Sequence, residues 1–259
     1  MKITTFASGS SGNCALIEDG SIRFLIDAGI SLRRIKTALS AHGLFWDDLR
    51  GVFITHEHSD HIAAIPMLVK YTSLPIFAPR STANYLRRTV VGIEDRLCEI
   101  SPFESFSLGE VRITPFPTPH DTPGSVGYRI DGGVSFGFCT DTGHVSEAML
   151  RYLPGCAAAV IEANHDPELL RAGPYPLPLK RRILSENGHL SNGDCALFAC
   201  RLAESGAKHI VLGHLSRENN RPDLAFHAVR GALDRAGFAD VTVDVAPPCS
   251  ELSLELSEC

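Results

Sequence analysis

No stretch of this chain approaches the roughly 18 consecutive apolar residues of a membrane-spanning helix. Its first residues, MKITTFASGSSGN, run from one charge into a strand-like and then Gly/Ser-rich segment, without the apolar centre of a secretory signal. A cytoplasmic protein with no membrane partner is the expectation. Paired cysteines are missing as well: the eight cysteines (14, 98, 139, 156, 195, 200, 249 and 259) are scattered, with no C-x-x-C pair. That excludes a disulfide framework and predicts reduced, largely buried thiols. The chain also lacks an excess of basic charge. A formal net charge of −6 argues against tight nucleic-acid binding through the whole surface, although Arg33-Arg34-Ile35-Lys36, Arg87-Arg88, Lys180-Arg181-Arg182 and Arg217 with Arg221 are local groups that could meet phosphates. Long linkers, low-complexity tracts and internal repeats are absent too.

What is present is a 259-residue chain, 44% hydrophobic, enough for a substantial core and expected to form one domain over residues 1–259. Short, β-branched apolar runs bounded by Gly, Pro or Asp predict strands at 3–7, 15–18, 22–27, 51–55, 76–78, 111–116, 125–130, 134–140, 157–163, 208–212, 241–245 and 252–256. Apolar spacings of three and four predict helices over 31–42, 61–72, 81–90, 145–152, 192–205 and 221–236, with Gly206 and Gly237 as stop signals. Strands precede helices in each half, so the expected fold is α/β, with two mixed sheets face to face and helices outside. Residues 164–190, rich in proline, give no clear element and are long enough to suggest a functional loop.

The densest chemical signal is Thr55-His56-Glu57-His58-Ser59-Asp60-His61, an H-x-H-x-D-H string. His56 and His58 can point to one side of an extended segment, while Asp60 and His61 offer a second pair of donors at the following turn. Imidazole and carboxylate donors suit zinc, with manganese or iron as competitors. A helix-start reading, with Ser59 or Asp60 as N-cap, does not call for three histidines. Further donors stand at the ends of predicted strands, where loops carry function: His120 after a Pro-stiffened run, Asp141 in Cys-Thr-Asp-Thr-Gly, and His214 after Ile-Val-Leu-Gly.

With these residues in place the chain resembles the metallo-β-lactamase-fold hydrolases, from Leu25-Ile-Asp-Ala-Gly onward. The resemblance implies a four-layer αβ/βα sandwich with two divalent metal ions at one edge. It places His56, His58 and His120 on one ion, Asp60, His61 and His214 on the other, Asp141 between them, and Asp27 as a buried acid bracing the ligand loop. His58 disfavours the diiron oxidoreductases of this fold, which usually carry Glu there.

Ser8-Gly-Ser-Ser-Gly-Asn13, Glu162-Ala-Asn-His-Asp166, Gly188-His-Leu-Ser-Asn192 and Gly213-His-Leu-Ser-Arg-Glu-Asn-Asn220 look like the YycJ/WalJ nuclease group, which implies a DNA substrate and 5′-to-3′ exonuclease action. The stretch from Asp141 to His214 is too short to hold the large β-CASP insert of bigger nucleases. In a phosphodiester hydrolase, two metals supply a nucleophile at neutral pH and neutralise phosphate charge, Asp60 orients the water, and His189 is the candidate acid for the departing oxygen. Asn164, His165, Lys180 and Arg181 are candidate substrate contacts, with Arg182 in the same basic run. The loop of Ser8, Gly9, Ser10, Ser11, Gly12 and Asn13 could bind an anion through its N–H groups. Two other readings stay open: a small ester, thioester or lactone hydrolase, which a deep apolar pocket would favour, and a non-catalytic, metal-stabilised binding module, which an open coordination position would count against.

Overall fold

Neighbouring residues along the central strands go to opposite faces, and both faces are buried. Leu16 and Leu25 share a cluster with Ile35, Leu39, Leu68 and Leu86, whereas Ile17, Phe24 and Ile26 share another with Tyr128, Phe136, Val160 and Val211. A third cluster joins Ile161 and Leu212 to Leu202, Val229 and Leu233. Strands covered on both faces read as continuous apolar runs, which is why their sequence showed no polar alternation.

The computed structural model describes residues 1–257. Its strands, in chain order, are β1 (Lys2–Ala7), β2 (Cys14–Asp19), β3 (Ile22–Ile26), β4 (Val52–Phe53), β5 (Ile76–Pro79), β6 (Leu97–Ile100), β7 (Phe106–Leu108), β8 (Val111–Pro117), β9 (Val126–Asp131), β10 (Ser135–Cys139), β11 (Ala158–Glu162), β12 (His209–Gly213), β13 (Thr242–Val245) and β14 (Leu252–Glu255). They form two seven-stranded sheets, ordered β14-β1-β2-β3-β4-β5-β6 and β13-β12-β11-β10-β9-β8-β7. One buried cluster lies between the sheets and the other two lie under helices on their outer faces, giving the expected four layers. The helices are α1 (Leu32–Ala41), α2 (Ser59–Ile62), α3 (Ile65–Tyr71), α4 (Arg80–Thr89), α5 (Glu147–Tyr152), α6 (Pro167–Ala172), α7 (Leu177–Ile183), α8 (Asn192–Glu204) and α9 (Pro222–Arg235). Gly206 and Gly237 follow α8 and α9 with φ of +107° and +85°, the conformation a glycine stop supplies.

Three expectations need correction. The helix expected over 61–72 is two helices, because Ala64 N–H bonds outward to Ala28 O at 2.8 Å and Pro66 starts α3 instead of continuing α2. Strands β6 and β7 escaped the periodicity because each is short and at most partly buried apart from Ile100, at or near a sheet edge. The undefined 164–190 stretch holds α6 and α7. Asp166 caps α6 by accepting from Glu168 and Leu169 N–H, and Pro167 occupies its first turn. Of the cysteines, Cys14, Cys139, Cys156 and Cys195 are buried, Cys98 and Cys200 half-buried and Cys249 exposed, all as free thiols; Cys259 lies outside the described residues. Among the described residues no helix is long and apolar enough to cross a membrane.

Candidate metal centre

The ends of β3, β4, β8, β10, β11 and β12 lead directly into Asp27, His56, His120, Asp141, Glu162 and His214, so one edge of the two sheets gathers the donors. Three of these residues adopt a left-handed backbone that non-glycine residues rarely take: Asp27 (φ 59°), Asp141 (φ 57°) and His214 (φ 54°). Only one other described non-glycine residue, Phe103, has positive φ. Such turns cost of order 1–3 kcal/mol each and persist where surrounding structure holds them.

The heptad is held by Asp27-Ala28-Gly29. Asp27 Oδ1 accepts from Thr55 N–H at 2.9 Å, its Oδ2 lies 2.7 Å from His61 Nδ1, and Ala28 N–H reaches His61 O at 2.8 Å. A Cβ on Gly29 would lie 1.6 Å from Asp60 O, so only glycine lets this strand end lie flush on the ligand loop. Gly29→Ala is therefore expected to lower both melting temperature and metal content, checked by thermal denaturation and elemental analysis; a variant with native values for both would contradict this role. Helix α2 starts at His58 with no side-chain cap bond, so neither Ser59 nor Asp60 acts as an N-cap.

Donor atoms converge in four overlapping groups: His56, His58 and His120; Asp60, His61 and His214; His56, His61 and Asp141; and Asp141, Glu162, His189 and His214. His58 Nδ1 faces His56 Nε2 at 3.1 Å and His120 Nε2 at 3.3 Å. His120 Nδ1 lies 3.2 Å from Gly188 O, a bond that uses its proton and leaves a lone pair on Nε2. Three imidazole nitrogens meeting this way cannot all be satisfied by one another. Asp141 Oδ2 is buried without a hydrogen-bond partner, yet lies 3.3 Å from His61 Nε2, while its Oδ1 lies 3.3 Å from His214 Nδ1 and 3.9 Å from His120 Nε2. A buried carboxylate oxygen with no geometric hydrogen bond among the described residues, beside converging imidazole nitrogens, fits divalent cations.

Burial disfavours charge on His214, but Asp141, Asp60 and Glu162 outweigh it and push its pKa up to about 10. His61 behaves alike: burial opposes the proton, and Asp27 and Asp141 hold its pKa well above the usual value. Without metal these two histidines carry protons at neutral pH, so metal loading must expel them and affinity rises with pH. A histidine raised from 6.5 to about 10 contributes stability that is complete below about 6.5 and lost as pH rises through about 10. In chelator, the melting temperature is expected to fall between pH 7 and pH 10, and saturating metal should remove that fall. A chelated protein equally stable at both ends would contradict the protonated state.

Glu162, which in the sequence is only the first residue of Glu162-Ala-Asn-His-Asp166, belongs to the centre. Fully buried at the end of β11, it sets Oε1 2.8 Å from His189 Nδ1 and 2.9 Å from His214 Nδ1, while Oε2 accepts from Thr142 and Leu190 N–H. Burial would raise its pKa, but His189 and His214 lower it to about 2. An acidic residue closing the apolar run Ala157-Ala-Ala-Val-Ile was the available signal. Asp121 was missed too: its Oδ1 lies 3.5 Å from His58 Nε2 and its Oδ2 pairs with Arg182.

Other expected contacts sit elsewhere. Asn164 is buried behind His214, its amide donating to His214 O at 2.9 Å, so its polar head is committed to the loop and not to the cleft. His165 is buried with both ring nitrogens unpartnered, and burial lowers its pKa to about 4. Lys180 donates to Arg171 O at 2.7 Å, tying α7 to α6, and Arg181 is exposed on α7; neither lines the metal cleft, whereas Arg182 does. The Ser8–Asn13 loop has spent most of its N–H groups: Ser8 on Pro247 O, Gly9 on Asn13 Oδ1, Gly12 on Gly9 O and Asn13 on Asp60 O. It clamps the heptad, with Asn13 Nδ2 3.0 Å from His61 Nε2.

Residues 22–215 match the family described as the beta-lactamase superfamily domain. The chain is a metallo-β-lactamase-fold protein. Among relatives of this superfamily, it is 35% identical over 240 residues to an exodeoxyribonuclease YycJ of Bacillus anthracis, covering 92% of this chain and 91% of the relative. It is 36% identical over 266 residues to an exodeoxyribonuclease WalJ of Streptococcus pneumoniae, covering 97% and 98%. The zinc-bound PqqB of Methylobacterium extorquens superposes with a TM-score of 0.75 over 99% of this chain and 100% of that one, at 16% identity, a likeness of fold. With its buried His/Asp clusters, this metallo-β-lactamase-fold protein is a metal-dependent hydrolase.

Proposed function

We propose that the chain is a dinuclear metal-dependent phosphodiester hydrolase acting on DNA as a 5′-to-3′ exonuclease. The carrying observation is the lining of the metal cleft: Ser10, His58, Ser59, Asp60, Asp141, Arg182, His189 and His214. Every side chain there is polar, and the cleft sets one guanidinium and one glutamate-bound imidazole beside the donor clusters. That suits a phosphate better than an acyl group. Similarity to exodeoxyribonucleases along nearly the whole chain supports the same substrate class, and the polarity rests on that likeness.

His56, His58 and His120 would hold one ion, Asp60, His61 and His214 the other, with Asp141 reaching both; zinc, manganese or iron suit the set. Bound there, two such ions polarise a phosphoryl oxygen and bring water to a reactive state at neutral pH. The remaining tasks fall to this chain's own groups. Arg182, held at the cleft by Asp121, is placed to exchange that carboxylate for a phosphoryl oxygen. Asp60 accepts a hydrogen bond from the attacking water and orients it. Burial opposes charge on His189, but Glu162 raises its pKa. With Nδ1 engaged by Glu162, Nε2 is left to hand a proton to the departing oxygen.

Single- and double-stranded DNA and RNA, labelled at either end, should be assayed with zinc, manganese and iron beside a thioester and a β-lactam. Stepwise loss of nucleotides from the 5′ end of DNA is expected. Brisk thioester turnover with intact nucleic acid would sink the reading.

A further inference from the structure

A second cavity, of 590 Å³, borders the same N-terminal loop as the metal cleft, and none of its lining residues belongs to the donor clusters. Its walls are apolar, from Leu215, Val245 and the Pro247–Pro248 turn, and Arg217 and Arg221 line it as well. Its volume suits a small organic body. The N-terminal loop touches both: Ser8 lines this cavity, Ser10 lines the metal cleft, and their Cα atoms can be no more than about 7.6 Å apart. Gly9, between them, has φ of +145°, and a Cβ there would lie 3.3 Å from Leu215 O, so the loop packs closely on the backbone of the cavity wall. Ser8 Oγ also accepts from the N–H of His214 at 2.8 Å, which ties the cavity wall to the donor cluster.

The cavity's polar groups are largely spent. Asn220 Nδ2 donates to Ala163 O and Asn192 Oδ1, its Oδ1 accepts from Asn192 and Arg221 N–H, and Ser216 Oγ accepts from Asn219. Arg217 keeps charge at the cavity, with Nη2 on the neutral partners Ser11 Oγ at 2.9 Å and Cys249 Sγ at 3.3 Å. An apolar slot whose guanidinium has no carboxylate partner among the described residues, bordered by the loop that also lines the proposed phosphodiester site, matches a flat apolar ring attached to phosphate. An acyl chain would fill the slot and leave the cation unused.

We infer that this cavity is a nucleobase subsite, in which the base adjoining the scissile phosphate seats between Leu215 and the Pro247–Pro248 turn while Arg217 meets the next phosphate. This rests on the nuclease reading above. Because Asn220 and Ser216 are committed within the protein, the subsite holds a base by burial among apolar side chains without reading its identity.

The test compares short single-stranded DNA with the same DNA carrying an abasic residue beside the cleaved bond, and with bis(p-nitrophenyl) phosphate, which has no base. In the native protein the abasic residue should raise KM about tenfold, since the apolar surface that the base buries in the slot is lost, and the four bases should cleave alike. Val245→Trp, which fills the slot from β13, should lower kcat/KM for DNA relative to that for bis(p-nitrophenyl) phosphate about tenfold and erase the abasic effect. Arg217→Ala should raise KM for DNA and flatten its salt dependence. Equal KM for intact and abasic DNA in the native protein, or native DNA kinetics in both variants, would overturn the subsite and leave the nuclease reading standing. A native protein that spares DNA but turns over a long-chain thioester, with Val245→Trp blocking it, would assign the slot to an acyl chain and overturn both.

Discussion

Asp141→Ala should abolish DNA cleavage, lowering kcat/KM by at least about 10³-fold, and should reduce bound metal from two ions to one or none. Its carboxylate is within reach of both donor clusters: 3.3 Å from His61 Nε2, 3.3 Å from His214 Nδ1 and 3.9 Å from His120 Nε2. A metal pair contributes several kcal/mol to the stabilisation of charge in the transition state, and each 1.36 kcal/mol is a factor of ten in rate. Loss of the carboxylate also removes the leading favourable partner of the protonated His214. Asp141→Asn keeps the volume and removes the charge, so a matching loss in that variant separates electrostatics from packing. Elemental analysis and cleavage of end-labelled DNA are the measurements. Full activity in a variant that was stripped of metal, repurified and reloaded would refute the placement of Asp141 between two ions.

His189→Ala should lower kcat on DNA by about 10²–10⁴-fold while metal content stays native. A proton donor matters most when the departing oxygen is basic, so bis(p-nitrophenyl) phosphate, whose phenolate leaves unaided, should lose far less. The native profile should fall on the alkaline side as His189 gives up its proton, at a pH above the ordinary histidine value because Glu162 raises it. Glu162→Gln should act in the same direction on kcat. It should also weaken metal binding, since the same oxygen lies 2.9 Å from His214 Nδ1. Equal losses on both substrates would remove the proton-donor role, and loss of metal from His189→Ala would make that histidine a ligand.

How far the centre could be read in advance varied by residue. His56, His58, Asp60 and His61 were legible because their spacing is local: one extended segment and one turn bring them together. His120, Asp141 and His214 were legible as polar donor types closing apolar runs, a pattern that points to a sheet edge without saying which edge. Glu162 closes such a run too, but a lone glutamate after a strand resembles an ordinary end signal until His189 and His214 are seen on the same oxygen. Arg182 was hidden behind Lys180 and Arg181. Choosing among three adjacent basic residues needs the register of α7, and the prolines around that helix masked it.

The amino-acid sequence by itself determined the donor set, the alternation of elements and hence the layered α/β class, because hydrophobic period and side-chain chemistry are properties of short segments. The tertiary structure alone decided which donor atoms converge, why Gly29 can have no side chain, which basic residue enters the cleft, and that an apolar slot borders the same loop. Those outcomes depend on how two sheets stack and on left-handed turns at Asp27, Asp141 and His214. Such turns aim side chains from strand ends far apart in the chain at one point, a result of packing that no local spacing encodes.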